Sequence, residues 1–328
     1  MEMYEILPYS PELDQRFDLF VKKESFNGTF LQTRRFLNYH PADRFVDASF
    51  ALQKSGIIVA YFPGVVKDGV FVSHAGSTFG GPIIAKQYYR GSRLGEVLTE
   101  ADQYLASHFK SVRLKITSSI FCEENPDLLE YILEHLGYSR HTELSCYTPL
   151  SKDVDPLENC TGQCRRNFRQ AEKLDLTYGE IPDGELEKFY ECLTLSKARH
   201  HTTPVHSLAE LRDIKRRFPK EIMFRGVWQN DENGQGRVYL SGMMNFYFKN
   251  ANVLHFQYLA PDDSRRDTNA STAMLIYSMR EAIKAGIEKF SWGISTEDGG
   301  SYLNENLYHF KESFGALPCV NVRYEKSF

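Results

Sequence analysis

Leu307-Tyr308-His309-Phe310-Lys311-Glu312-Ser313-Phe314-Gly315, close to the end of the 328-residue chain, has a counterpart in Leu129-Glu130-Tyr131-Ile132-Leu133-Glu134-His135-Leu136-Gly137. Both stretches start on Leu, place an apolar residue three positions on and Glu two further, and finish on an apolar residue and Gly. Each reads as a short helix stopped by glycine, which takes the left-handed cap at low cost. Each is followed by a strand-like tail, residues 144–150 and 320–324. Upstream, Leu94, Val97, Leu98, Ala101, Leu105 and Phe109 fall at helical spacing, and so do Leu275, Met279, Ala282, Ile283 and Gly286. A short strand follows each helix, 112–116 in one half and 289–292 in the other. Before each helix lie β-rich runs: 57–62 and 70–73, then 222–228, 237–248 and 252–259. The order strands, long helix, strand, short helix, strand therefore occurs twice, which is how an internal repeat shows itself.

The polar, turn-prone stretch Ser151-Lys152-Asp153-Val154-Asp155-Pro156 separates the copies, so the expected domains are residues 1–152 and 153–328. Residues 164–173 read as a basic helix, 176–179 as a strand, and 183–200 and 207–218 as two further helices. A net charge of −4 argues against a DNA-binding protein held by phosphate contacts. No run of 18 apolar residues exists to span a bilayer. The opening residues lack the basic and apolar blocks of a signal peptide, and six scattered cysteines suit reduced thiols. A cytoplasmic location is expected. No metal is expected either, because no His-x-x-x-His or Cys-x-x-Cys pair is present.

Further residues carry a family resemblance. Phe256-Gln257-Tyr258-Leu259-Ala260-Pro261 leads through a polar turn into the second long helix; Trp292-Gly293-Ile294-Ser295 and the 307–315 stretch follow. This ending, with Phe310-Lys311 and Phe314-Gly315, resembles Fem-type proteins and their GNAT-superfamily relatives. Gly28-Thr29-Phe30-Leu31-Gln32-Thr33 and the glycine-rich 73–81 loop resemble the opening of the same group. The resemblance implies an α+β fold, an α/β sandwich of two tandem GNAT-like domains, each a mixed central sheet flanked by helices. It also implies transfer of an activated acyl group to an amine, with acyl-CoA as donor in one branch and aminoacyl-tRNA in another.

Candidate site residues follow. A helix N-terminus binds anions through its free N–H groups, and Arg265-Arg266-Asp267-Thr268-Asn269-Ala270-Ser271 occupies the place of the GNAT pyrophosphate turn. Thr268 stands where the pattern has Gly; an ordinary polar turn with an N-cap fits equally. Lys311 stands where the first copy has the apolar Leu133, so it either points into a cleft, where it opposes a phosphate or an oxyanion, or snorkels to water. Tyr258 and Glu297 are the other catalytic candidates; Tyr258 equally suits plain packing. Trp292, Gly293 and Ser295 at a strand end are candidate substrate contacts, with a core position as the alternative for Trp292. His74, Gly76, Thr78, Gly80 and Gly81 form a loop whose amides suit a phosphate or sugar, or a simple β-turn, and Gln32 joins them. The basic clusters 165–173 and 215–217 suit tRNA or a solvated helix face.

Three functions stay open at this point. The first is an acyl-CoA-dependent N-acyltransferase acting on a cell-envelope or polysaccharide precursor, a small-molecule or a nucleotide- or lipid-linked sugar. The second is an aminoacyl-tRNA-dependent extension of peptidoglycan peptides. The third is a tandem-GNAT binding protein without catalysis.

Overall fold

In chain order the first strands are β1 (Glu5–Pro8), β2 (Val46–Asp47), β3 (Phe50–Lys54), β4 (Ile57–Phe62), β5 (Val65–Lys67), β6 (Val70–Val72), β7 (Ile83–Ile84), β8 (Ser111–Lys115) and β9 (Ser139–Pro149). The helices among them are α1 (Asp14–Leu19), α2 (Arg34–Leu37), α3 (Gly91–His108) and α4 (Asp127–His135). Then come α5 (Gly162–Ala171), β10 (Leu176–Glu180), α6 (Leu186–Ala198), α7 (Leu208–Arg217), β11 (Ile222–Asn230), β12 (Arg237–Phe248) and β13 (Val253–Pro261). The chain ends with α8 (Ala270–Lys284), β14 (Lys289–Ile294), β15 (Thr296–Glu297), β16 (Tyr302–Leu303), α9 (Glu305–Glu312) and β17 (Leu317–Ser327). This computed structural model describes residues 3–41, 43–199, 201–231 and 236–328.

The chain forms two compact units. Unit 1 is Met1–Leu144, Thr296–Tyr302 and Val320–Phe328; unit 2 is Ser145–Ser295 and Leu303–Cys319. The units differ from the contiguous split at 152/153. Residues 145–149 of β9 pair with β14 in unit 2, and residues 323–327 of β17 pair with β8 in unit 1. The two strand-like tails of the repeat are therefore exchanged: each completes the sheet built by the other copy.

In unit 1 the long helix α3 connects β6 to β8, which pair in parallel, Val70–Val72 against Ser111–Arg113. The apolar stripe expected for α3 is its buried face: Leu94, Val97, Leu98, Ala101 and Leu105 lie in one core with Phe50, Phe62, Val112, Leu114 and Tyr324. A separate sheet runs β1-β3-β4-β7. In unit 2 the sheet runs β10-β11-β12-β13-β14-β9. It is antiparallel except for β13 and β14, the two strands that α8 joins. Ala273, Met274, Leu275, Ile276, Met279 and Ala282 of α8 pack on this sheet beside Phe290 and Trp292. A parallel pair needs a long crossover, and a helix supplies it. Both units thus contain the same strand–long helix–parallel strand–short helix order. The stop glycines adopt the left-handed conformation, Gly137 at φ 86° and Gly315 at φ 73°. Among the described residues no helix is long and apolar enough to cross a membrane.

Candidate functional site

The chemistry-bearing groups of unit 2 gather where β13 leaves β14. The parallel pairing covers only Val253–His255 against Lys289–Ser291. Beyond it the β12–β13 register slips: Met244 faces Tyr258, Asn245 faces Phe256, and Gln257 has no partner residue on β12. The β14–β9 register slips as well, because Ser291 faces Tyr147 while Gly293 already faces Cys146. A bulge leaves one residue outside the ladder and re-aims its neighbours. Gly293, at φ 72°, turns the end of β14 in a conformation that a side chain resists.

Lys311 closes this strand end. It is the one buried residue of α9. Its Nζ donates to Gly293 O at 2.9 Å, to Ile294 O at 2.6 Å and to Ser295 Oγ at 2.8 Å. Lys311 faces inward as Leu133 does in unit 1, each about 2% exposed, so the snorkelling alternative does not apply. The outer side of α9 carries the apolar residues instead, Leu307 and Phe310. Burial pushes the Lys311 ammonium down to about 8; the nearby Cys146 and Cys319 thiols act in the opposite sense. Burial, with the Lys311 charge behind it, holds His255 neutral at about 4.

The turn before α8 forms the second part. Asp263–Thr268 is two short 3-10 turns that meet at a kink on Arg265, and Asn269 follows at φ 55°, left-handed, as the N-cap of α8. Thr268 Oγ1 donates to Arg265 O and accepts from Ala270 N. Arg265, Arg266, Asn269, Ala270, Ser271 and Thr272 line a cleft of about 260 Å³. Five of the seven residues of the expected pyrophosphate turn thus share one cleft, and Thr268 links Arg265 to Ala270 through its hydroxyl. Asp262 also lines the cleft; burial pushes its carboxyl up, but hydrogen bonds from Ser264 and the Lys188 and Arg265 charges outweigh that and hold it below the usual value.

Other expected residues are engaged elsewhere. Trp292 is core: its Nε1 donates to Thr148 Oγ1 at 2.9 Å, and Phe256, Phe290, Phe310 and Phe314 surround the ring. Tyr258 bonds through its hydroxyl to His206 Nδ1 at 2.7 Å, which ties β13 to the loop before α7. Glu297 is exposed and belongs to unit 1.

The glycine-rich loop of unit 1 spends its amides on its own protein. Gly80 N and Gly81 N donate to Lys115 O, Ser77 N to His74 O, and Gly76 N to His74 Nδ1. A Cβ on Gly80 would collide with Ser73 O, and one on Gly76 with the His40 ring. Close packing therefore accounts for these glycines, and the amides of Gly76, Gly80 and Gly81 are bonded within the protein. Only Thr78 is exposed among the candidates there, apart from the half-exposed Gly76. His74 is buried and pushed down to about 3 by that burial. Gln32 is fully buried; it accepts from Thr29 N and donates to Thr117 Oγ1.

Residues 215–217 are internally neutralised: Arg216 and Arg217 pair with Asp213, and Lys215 pairs with Asp183. Lys215 and Arg216 border a cavity of about 990 Å³ that also includes Glu180, Ile222 and Arg225.

Sequence reasoning passed over His206, His255, Ser291 and Asn245. His255 Nδ1 meets Ser291 Oγ at 3.0 Å, and its ring lies near Gly293. His255, Ser291 and Asn245 are lone polar residues on buried strands and give no periodic signal, and His206 lies in a loop without one.

No family model matches the sequence, and no curated protein matches it. Solved structures do. The chain is similar to FemX, with a TM-score of 0.72 at 13% identity over 99% of this chain and 97% of that one. It is similar to L-PGS from Bacillus licheniformis, TM-score 0.57 at 12% identity over 96% and 91%. It is also similar to a tandem GNAT protein from the clavulanic acid biosynthesis pathway, TM-score 0.55 at 10% identity over 99% and 98%. At these identities the likeness establishes the fold: the chain has the Fem-type, tandem-GNAT α+β fold that its sequence resembles.

Proposed function

We propose that the protein is an N-acyltransferase that moves an acyl group from acyl-CoA to the amine of a cell-envelope or polysaccharide precursor in the cytoplasm. The observation that carries this reading is the cleft at the start of α8, where two arginines and the first turn of the helix meet. The positive dipole end of the helix and the two guanidinium groups favour a pyrophosphate there. From that cleft β13 leads to the Gln257 bulge and to the point where β14 diverges. The amine attacks the thioester carbon, the carbon–sulfur bond breaks, and the thiolate leaves and takes up the proton that the new amide nitrogen sheds. The developing oxyanion needs fixed donors, and a bulge residue outside the ladder supplies a backbone N–H. Lys311 holds the carbonyls of Gly293 and Ile294 in place and sets a positive charge behind that strand end. Transfer from aminoacyl-tRNA draws less support from residues 215–217, each of which is paired with an acid of its own protein.

Calorimetric titration with acetyl-CoA tests the reading. Binding is expected, and the double variant Arg265→Ala/Arg266→Ala should weaken it by at least about tenfold, the worth of one charge-assisted hydrogen bond. Absence of binding at millimolar acetyl-CoA and CoA would overturn the acyl-CoA reading and leave the aminoacyl-tRNA and binding-only readings.

A further inference from the structure

Among the described residues of unit 2, one buried side-chain polar atom has no hydrogen-bond partner: Oδ1 of Asn245, in a residue about 1% exposed. A buried, unsatisfied carbonyl costs stability, and in a native protein it calls for an explanation, a ligand being one. Asn245 has apolar neighbours. It faces Met223 on β11 and Phe256 on β13. Met243, two residues back on the same side of β12, lies in the core under α8. Nearby polar groups on that face are committed to each other: Arg225 and Tyr178 both bind Glu281.

Its place along the strand gives the orphan atom meaning. Ser241 bonds Ser271, which lines the α8 cleft. Asn245 stands four residues further along β12, roughly 13 Å at the usual strand rise. A pantetheine arm laid from that cleft along β13 reaches a comparable distance. Its thioester end would arrive at the Gln257 bulge, directly beside the Asn245–Phe256 pair.

We propose that Asn245 recognises the acyl group: its carboxamide oxygen accepts a hydrogen bond from an N–H or O–H carried on the transferred acyl chain. The donor is then an aminoacyl or hydroxyacyl thioester rather than a plain alkanoyl one. The inference rests on the acyl-CoA reading above and narrows its substrate class. It also gives the unpartnered Asn245 oxygen among apolar neighbours a partner.

The experiment uses three unreactive thioethers of one size: S-(2-aminoethyl)-CoA, S-(2-hydroxyethyl)-CoA and S-propyl-CoA. Dissociation constants are measured for the whole protein and for Asn245→Leu and Asn245→Asp. The aminoethyl or the hydroxyethyl compound should bind about tenfold more tightly than the propyl one, and which of them does so identifies the acyl class. Asn245→Leu should bring that ratio to about one, while Asn245→Asp, which keeps an acceptor, should retain a preference for the aminoethyl compound. In a parallel melt without ligand, Asn245→Leu should raise Tm, since it removes the unsatisfied group. An unchanged ratio in Asn245→Leu, a wild-type preference for the propyl compound, or a lowered Tm, as for a carboxamide satisfied by a buried water, would each overturn the assignment. Failure of all three thioethers to bind would instead remove the CoA reading on which it stands.

Discussion

Lys311 shows how far one residue type can carry an argument. Comparison with Leu133 located it on an inward-facing position, and both side chains are in fact buried. The comparison did not reveal its partners. Gly293 O, Ile294 O and Ser295 Oγ surround the ammonium, and the sequence pattern holds no record of which strand end a helix will cover. The charge has a measurable consequence. Its pKa falls from the usual lysine value to about 8 in the folded protein, so the unfolded chain binds the extra proton more readily. Stability from this group therefore rises with pH, starting near pH 8 and levelling off above the unfolded value near 10.4. The full span is of order 3 kcal/mol. Urea unfolding of the wild type and Lys311→Met at pH 7, 8, 9 and 10 checks it by difference, which cancels the tyrosines that titrate in the same range. The wild type should gain on the variant as pH rises. At pH 7 the variant also leaves two backbone carbonyls and a hydroxyl without their donor, a loss of about 1–3 kcal/mol each if no water replaces it. The sign of the pH slope, rather than the size of the loss, identifies a desolvated ammonium; a flat difference would mean that Lys311 stays fully solvated.

At the scale of elements, periodic helices were legible and irregular connections were not. The stripes of α3 and α8 follow from spacing alone, and both face their cores. The glycine-rich loop misled because the same residues serve two ends. Glycines curl round a ligand, or they let backbone meet backbone, and residues 73–81 do the second. The α8 turn worked the other way. Thr268 broke the expected motif, yet Asn269 takes the left-handed conformation that the motif supplies with small residues. Asparagine tolerates that region through its short polar side chain. Asn269→Gly should therefore leave unfolding free energy within about 0.5 kcal/mol of the wild type, because lost contacts to Gln170 and Asp267 are offset by an easier backbone. Asn269→Ala should lower it by about 1–2 kcal/mol. Equal effects of the two variants would show that the side chain, and not φ, sets the start of α8.

For the whole chain, the repeat was visible and the exchange of its last strands was not, because strand pairing across long separations leaves no local trace. Val322 and Tyr324 of β17 belong to the core of unit 1. The Tyr324 hydroxyl reaches Glu130 and Glu134, and Lys326 binds Asp102 and the Leu136 carbonyl. A fragment of residues 1–152 contains every one of those partners but lacks the strand itself. It would expose β8 as an unpaired edge, with its Val112 and Leu114 no longer covered, and such edges recruit other chains. Expressed alone, that fragment should be aggregated or lack a cooperative melt, although it contains a full linear copy of the repeat. A synthetic peptide of residues 317–328 added during refolding should restore a cooperative transition. Replacement of Tyr324 by Ala in that peptide should abolish the rescue, since it removes a fully buried ring together with its hydrogen bonds. A fragment that melts cooperatively without the peptide would show that the C-terminal strand is dispensable to unit 1, and that the copies fold as the contiguous halves their sequence suggests.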